Sequence, residues 1–211
     1  MANAAAPFGL RPSHTVSGSA YNGQTRLYYI PSTDTIAYSV GDVVVEVAGG
    51  DLVTGASAVI LYGTRGATST SGNTRGVIVG FGVAAGNGEV APLGGDPDNL
   101  GSMIIPATKT KNYYAYVCDD PHMIYEAQTD TIAATAFNKN TGLAVGVAPT
   151  LTSPNCKTVI NGASATTTPT LPIKIIGAPQ RADNDLTSPG TNAYIWVMLN
   201  TNSVGGASAG V

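Results

Sequence analysis

Apolar and polar positions along this chain alternate in short runs that favour strands over helices. Runs rich in Val, Ile, Tyr and Thr occupy Thr25–Ile30, Val43–Val47, Ala58–Tyr62, Gly76–Val83, Tyr113–Cys118 and Met123–Ala127. Four more follow at Gly142–Val147, Lys157–Ile160, Leu171–Ile176 and Ala193–Leu199. Gly, Pro, Asn and Asp bound them, which is the pattern of an all-β sandwich or barrel. Asn87-Gly88 and Asn161-Gly162 predict tight hairpins, because both residue types tolerate positive φ. Asp119-Asp120-Pro121-His122 predicts a turn between two strands. The pattern allows one short helix over Thr131–Phe137, capped by Thr129-Asp130. Gly63–Thr74, Pro92–Ser102 and Thr150–Pro169 read as loops.

The first 33 residues break this pattern. They have no acid, two arginines and neither helical nor strand periodicity. They nevertheless carry Phe8, Leu10, Val16 and Tyr21, apolar anchors that a solvating tail would lack. The expectation is an extended N-terminal arm (1–33) completed by another surface. A single β-rich body (34–200) and a flexible small-residue tail (201–211) follow. Within an all-β class, the expected body is a jelly-roll-like sandwich or barrel.

Composition changes the picture in one respect. Charged residues are 11% of the 211, against about 25% in an average soluble chain. Two readings fit: much of the surface is covered in a large assembly, or Ser, Thr and Gly keep a β-protein in solution. The arm carries +2 and the rest −5. Neither has the Lys/Arg density that neutralises several phosphates, so nucleic acid is not an expected partner. The longest nearly apolar run, Val77–Ala85, is too short for a helical membrane span, and no secretory signal is visible. Cys118 and Cys156 lack metal-ligand spacing and are expected as two buried free thiols rather than a disulfide.

Candidate chemistry is sparse. His14 lies in the arm, without a rigid frame. His122 beside Asp119 and Asp120 has metal-ligand residue types, but neighbours in a tight turn do not converge on one ion. Gly80-Phe81-Gly82-Val83-Ala84-Ala85 matches a dinucleotide loop only if a helix follows, and Gly86-Asn87-Gly88 follows instead. Asp96-Pro97-Asp98-Asn99 and Asp183-Asn184-Asp185 have calcium-friendly oxygens but not the spacing of a calcium-binding loop. Three glutamates (Glu46, Glu89, Glu126) are a thin supply for acid–base work. No enzyme activity, cofactor or metal is expected.

Several blocks resemble a family of tailed-bacteriophage capsid cement (head decoration) proteins. They are the opening Met1–Pro12, Tyr21-Asn22-Gly23, Tyr28–Asp34, Val40–Val44 and Gly76–Phe81, followed by Val117–Gln128, Ile173–Ile176, Gln180–Asn184 and Ile195–Asn200. They recur in order over nearly the whole chain; Thr150–Pro169 falls outside them. The resemblance implies a non-enzymatic virion protein, made in the host cytoplasm, on the outer face of an icosahedral head. Its partners would be major capsid subunits of the HK97-like fold and itself, as a dimer or trimer at symmetry axes. Phe8, Leu10, Arg11, Tyr21 and Arg26 are the expected capsid contacts. Two alternatives are a tail- or fibre-associated phage β-module and, in a different class, a carbohydrate-binding β-sandwich.

Overall fold

A computed structural model of the chain describes residues 3–84, 89–92, 103–187 and 190–204. The all-β expectation holds, and its form is a small closed barrel joined to an antiparallel sheet. Strands are numbered along the chain. The barrel is made by β2 (Arg26–Ile30), β4 (Val43–Gly50), β5 (Ser57–Leu61), β7 (Gly76–Ala84) and β10 (Tyr113–Cys118). Hydrogen-bonding order is β10-β2-β5-β4-β7, and β7 pairs back onto β10, which closes the ring. Only β2–β5 is parallel. A short β8 (Val90–Pro92) adds to the C-terminal half of β7. Closure removes the open edges that a flat sheet of these strands would present.

The second layer has the order β1-β11-β16-β15-β12 and is antiparallel throughout. Its strands are β1 (Leu10–Thr15), β11 (Met123–Gln128), β12 (Asn140–Thr141), β15 (Ile173–Gly177) and β16 (Tyr194–Leu199). Smaller pairings complete the body. β6 (Thr68–Ser69), β13 (Leu143–Ala144) and β14 (Val159–Ile160) form one, and β3 (Tyr38–Ser39) with β9 (Ile104–Ile105) forms another. One apolar core joins both layers: Tyr28, Val44, Val59, Ile78 and Ala115 from the barrel meet Leu10, Tyr125, Ile175, Ile195 and Val197 from the sheet.

All ten predicted strands have counterparts, though the runs at Gly142–Val147 and Lys157–Ile160 shrink to two residues each. The helix reduces to a 3-10 turn at Ala134–Ala136, with Ala133 rather than Thr129-Asp130 at its N-cap. The Thr129 hydroxyl is committed elsewhere, donating to the Ile160 and Thr131 carbonyls and accepting from the Gly162 N–H. Asn161-Gly162 is not a tight hairpin. Asn161 has φ −83° and leads into a 3-10 turn at Gly162–Ser164. Asn87-Gly88 and Asp96-Pro97-Asp98-Asn99 lie outside the described residues.

The arm is the main correction. Leu10–Thr15 is not free chain: it is the edge strand of the sheet, in register with β11 from Leu10↔Ala127 to Thr15↔Met123. Pro12 hides the strand from pattern reading, and Pro is tolerated there because β1 is an edge and bulges between Pro12 and His14. Upstream, the Gln128 amide accepts from the Ala6 N–H and donates to the Ala4 carbonyl. Asn3 exchanges hydrogen bonds with the Asp185 backbone. Gly9 and Gly41 let β1 close on the barrel, and Leu10 N–H donates to the Gly41 carbonyl at 3.0 Å. A Cβ on Gly9 would lie 2.4 Å from that oxygen, and both glycines have positive φ. The tail is also docked at its start: the Asn202 amide donates to the Arg75 carbonyl, and Ser203 N–H to that of Thr74.

Candidate interaction surface

The five predicted contact residues do not stay together on a free arm. Leu10 is 2% exposed and belongs to the core, so it is withdrawn as an outside contact. Its burial is what holds β1 in the sheet. Phe8 is half-buried and stacks on Tyr194 with ring centroids 5.9 Å apart. The Arg11 guanidinium sits 4.6 Å from the Phe8 ring centroid. Tyr21 lies between two clefts, and exposed Arg26 reaches Asp119 at 3.5 Å.

Phe8 and Arg11 belong to a larger surface that sequence reasoning missed. In β16, Ile195, Val197 and Leu199 face the core, so Tyr194, Trp196 and Met198 face outward and are half-buried. Register carries a row across the sheet from Gly177 through Trp196 and Glu126 to Arg11. The Trp196 ring covers Gly177, its Cε3 3.6 Å from where a Cβ there would sit. His14 meets the indole edge-on at 5.2 Å. Arg181 stacks on Tyr194 at 4.8 Å and donates from one nitrogen to both Glu126 oxygens, at 3.0 and 3.2 Å. The outer face is thus a layer of rings, Met198 and two stacked arginines. One signal was available: Ala193–Leu199 is apolar on both faces, the pattern of a strand covered on both sides. The described structure covers only one.

Next to this face lies an apolar groove of about 520 Å³, lined by Phe8, Leu10, Arg11, Val40, Val79 and Met103 among others. Beside it is a more polar cleft of about 590 Å³, lined by Tyr21, Arg26, Arg75 and Asp119 among others. At its base the Asp119 carboxylate accepts from Arg75 at 2.7 Å and from the Tyr28 hydroxyl at 2.9 Å. Burial pushes the Tyr28 hydroxyl up from its ordinary pKa, so it stays a neutral donor.

Asp119, Asp120 and His122 do not converge. Asp120 accepts from the His122 N–H, and Met123 N–H closes the turn on the Asp120 carbonyl. Gly80–Val83 lies within β7, and a Cβ on Gly82 would sit 2.5 Å from Val90, so that glycine serves strand packing. Both thiols are buried and unbonded to each other, as expected. Cys156 donates to Asp42 at 3.1 Å, and burial pushes its pKa up to about 12, so it stays protonated. Among the described residues, no three His, Cys, Asp or Glu side chains cluster as metal ligands. No family model, curated protein or solved structure matches the chain.

Proposed function

We propose that this chain is a capsid decoration protein. It binds the outer surface of an icosahedral phage head and stabilises contacts between major capsid subunits. The observation that carries this reading is the outer face of the five-stranded sheet. Trp, Tyr, Met and Arg are the residues enriched where proteins meet, and half-buried rings flanked by arginines resemble the centre of such a contact. The low charge of the chain and its ordered blocks that resemble those of cement proteins support the same reading. The arm's part differs from a free clamp. Through β1 and the residues just before it, the arm brings Phe8, Arg11 and His14 into the face, and docking then orders few new residues. Repetition over a shell makes weak single contacts sufficient.

The test is occupancy on capsids stripped of this protein. Arg11→Glu with Arg181→Glu, and separately Trp196→Ala, are added to such particles and bound copies are counted. The reading expects at least a tenfold loss of affinity for each, with folded protein by circular dichroism. Undiminished binding by both variants overturns it. A count of a few copies per virion instead of hundreds indicates a tail module. The three rings Trp196, His14 and Tyr194 on one face also favour a carbohydrate-binding reading. Binding on a glycan screen, lost in Trp196→Ala, would select it.

A further inference from the structure

The loop joining β4 to β5 is a rigid apolar tip. Leu52 is 102% exposed and Val53 72%, yet the loop around them is fully tied. The Asp51 carboxylate accepts from the Val53 N–H at 3.2 Å, the Thr54 N–H at 3.0 Å, the Thr54 hydroxyl at 2.7 Å and the Tyr114 hydroxyl at 2.8 Å. Backbone bonds from Asp51 N–H to Ala56 O and from Gly55 N–H to Asp51 O close it, both at 2.8 Å. Those donors hold the Asp51 carboxyl down at about 2, so the tip carries a negative charge at ordinary pH. Two adjacent apolar side chains on a preorganised loop lose little entropy on docking.

The apolar groove beside β1 has the complementary properties. Leu10, Val40, Ile78, Val79, Met103 and Pro154 line it. Arg11, exposed and without a carboxylate partner among the described residues, supplies a positive charge there. Tip and groove lie at opposite ends of one strand. Gly41, in the groove, precedes the start of β4, and the tip follows its end. Eight extended residues separate them by about 25 Å, so the tip cannot enter the groove of its own molecule.

We propose that the Leu52–Val53 tip of one copy docks into the Phe8–Val79 groove of a second copy, a head-to-tail contact. Such a contact is not self-complementary, and it closes into rings or runs on as chains. One loop in one groove is a small interface, so the association is weak in solution and is amplified on a shell. The inference does not rest on the capsid reading, and the free protein tests it.

Sedimentation equilibrium of the wild type should show the average mass rising between about 10 µM and 1 mM. Leu52→Asp with Val53→Asp should remain monomeric, because both residues are exposed and the change leaves the fold intact. Val79→Asp should also be monomeric; if it does not fold, Met103→Asp at the exposed groove wall replaces it. Mixing the tip variant with the groove variant should restore a 1:1 complex, since one retains an intact groove and the other an intact tip. Arg11→Glu should weaken association several-fold, and added salt should weaken the wild type in the same direction. A wild type monomeric at about 1 mM overturns the proposal. So does a tip variant that associates like the wild type, or a mixture that does not pair.

Discussion

Around the barrel, Arg65, Arg75 and Lys109 turn inward onto carboxylates; on the five-stranded sheet, rings and arginines face outward. Arg65 grips both Asp42 oxygens, at 2.9 and 2.5 Å, Lys109 meets Asp34, and Arg75 meets Asp119. The Lys109 amine is held by the Asp34 and Ile36 carbonyls at 2.7 Å each, with the Tyr38 ring 5.4 Å away. The ring of strands is closed, and these three cations have their carboxylates within the molecule. The sheet has one face in the core and the other formed by Trp196, Tyr194, Met198, Phe8 and Arg11. Apart from its β4–β5 tip, the barrel keeps its charges within the molecule, whereas the sheet presents a face of rings and arginines outward.

The largest effect expected from breaking this contrast lies in the barrel. Asp42→Ala leaves Arg65 without its carboxylate and removes the acceptor for Ser39 N–H and Cys156. Removing one partner of a buried pair costs about 3–5 kcal/mol, which urea unfolding would measure. A cost below about 1 kcal/mol would mean the pair behaves like a surface contact, against its burial.

The next largest tests the sheet's edge. Leu10→Ala should cost about 3 kcal/mol if β1 is a core strand. A free arm predicts no change. Hydrogen exchange at Glu126, paired with Arg11 and with its N–H facing β1, should speed up in the same variant.

That edge also shows where sequence reading stops. The longer strands were legible because each is a run of apolar and β-branched residues between turn formers. β1 was not, since Pro12, Ser13 and His14 interrupt any alternation and only Leu10 is buried along it. Strands of two residues, such as β3 and β9, are too short for a period. The pairs Arg65–Asp42, Arg75–Asp119 and Lys109–Asp34 join residues 23, 44 and 75 positions apart, which no local pattern reveals. Phe8 and Arg11 were legible as anchors because they stand out in a segment otherwise poor in them. Their placement was not, because it depends on Tyr194 and the register of β16.

A third prediction concerns pH. The Cys156 thiol is raised in the folded state to about 12 from an ordinary 9. The folded form therefore holds its proton more tightly. This stability is complete below pH 9 and is lost as pH rises towards 12, by at most about 1.4 kcal/mol per pH unit. Cys118, Tyr62 and Tyr114 are raised by burial and act in the same sense. Lys109 is lowered by burial and acts in the opposite sense just below its ordinary 10.5. Urea midpoints at pH 8 and 10 should fall for the wild type and fall less for Cys156→Ala. Equal falls would remove Cys156 from the account.

The smallest stability effect is expected on the outer face. Trp196→Ala should cost about 1–2 kcal/mol, less than Leu10→Ala, since the ring is only partly buried and lies outside the core. Thermal unfolding reads this against capsid occupancy, and the contrast is sharp if binding collapses while Tm falls only slightly. A loss of several kcal/mol would make Trp196 a structural residue first.

The most direct test is a cryo-EM map of capsids decorated with this protein. The account predicts that the five-stranded sheet faces the shell, with Trp196, Arg11 and Arg181 against capsid density and the barrel turned away. A map in which that face points to solvent, or in which the protein lies elsewhere on the particle, would contradict it.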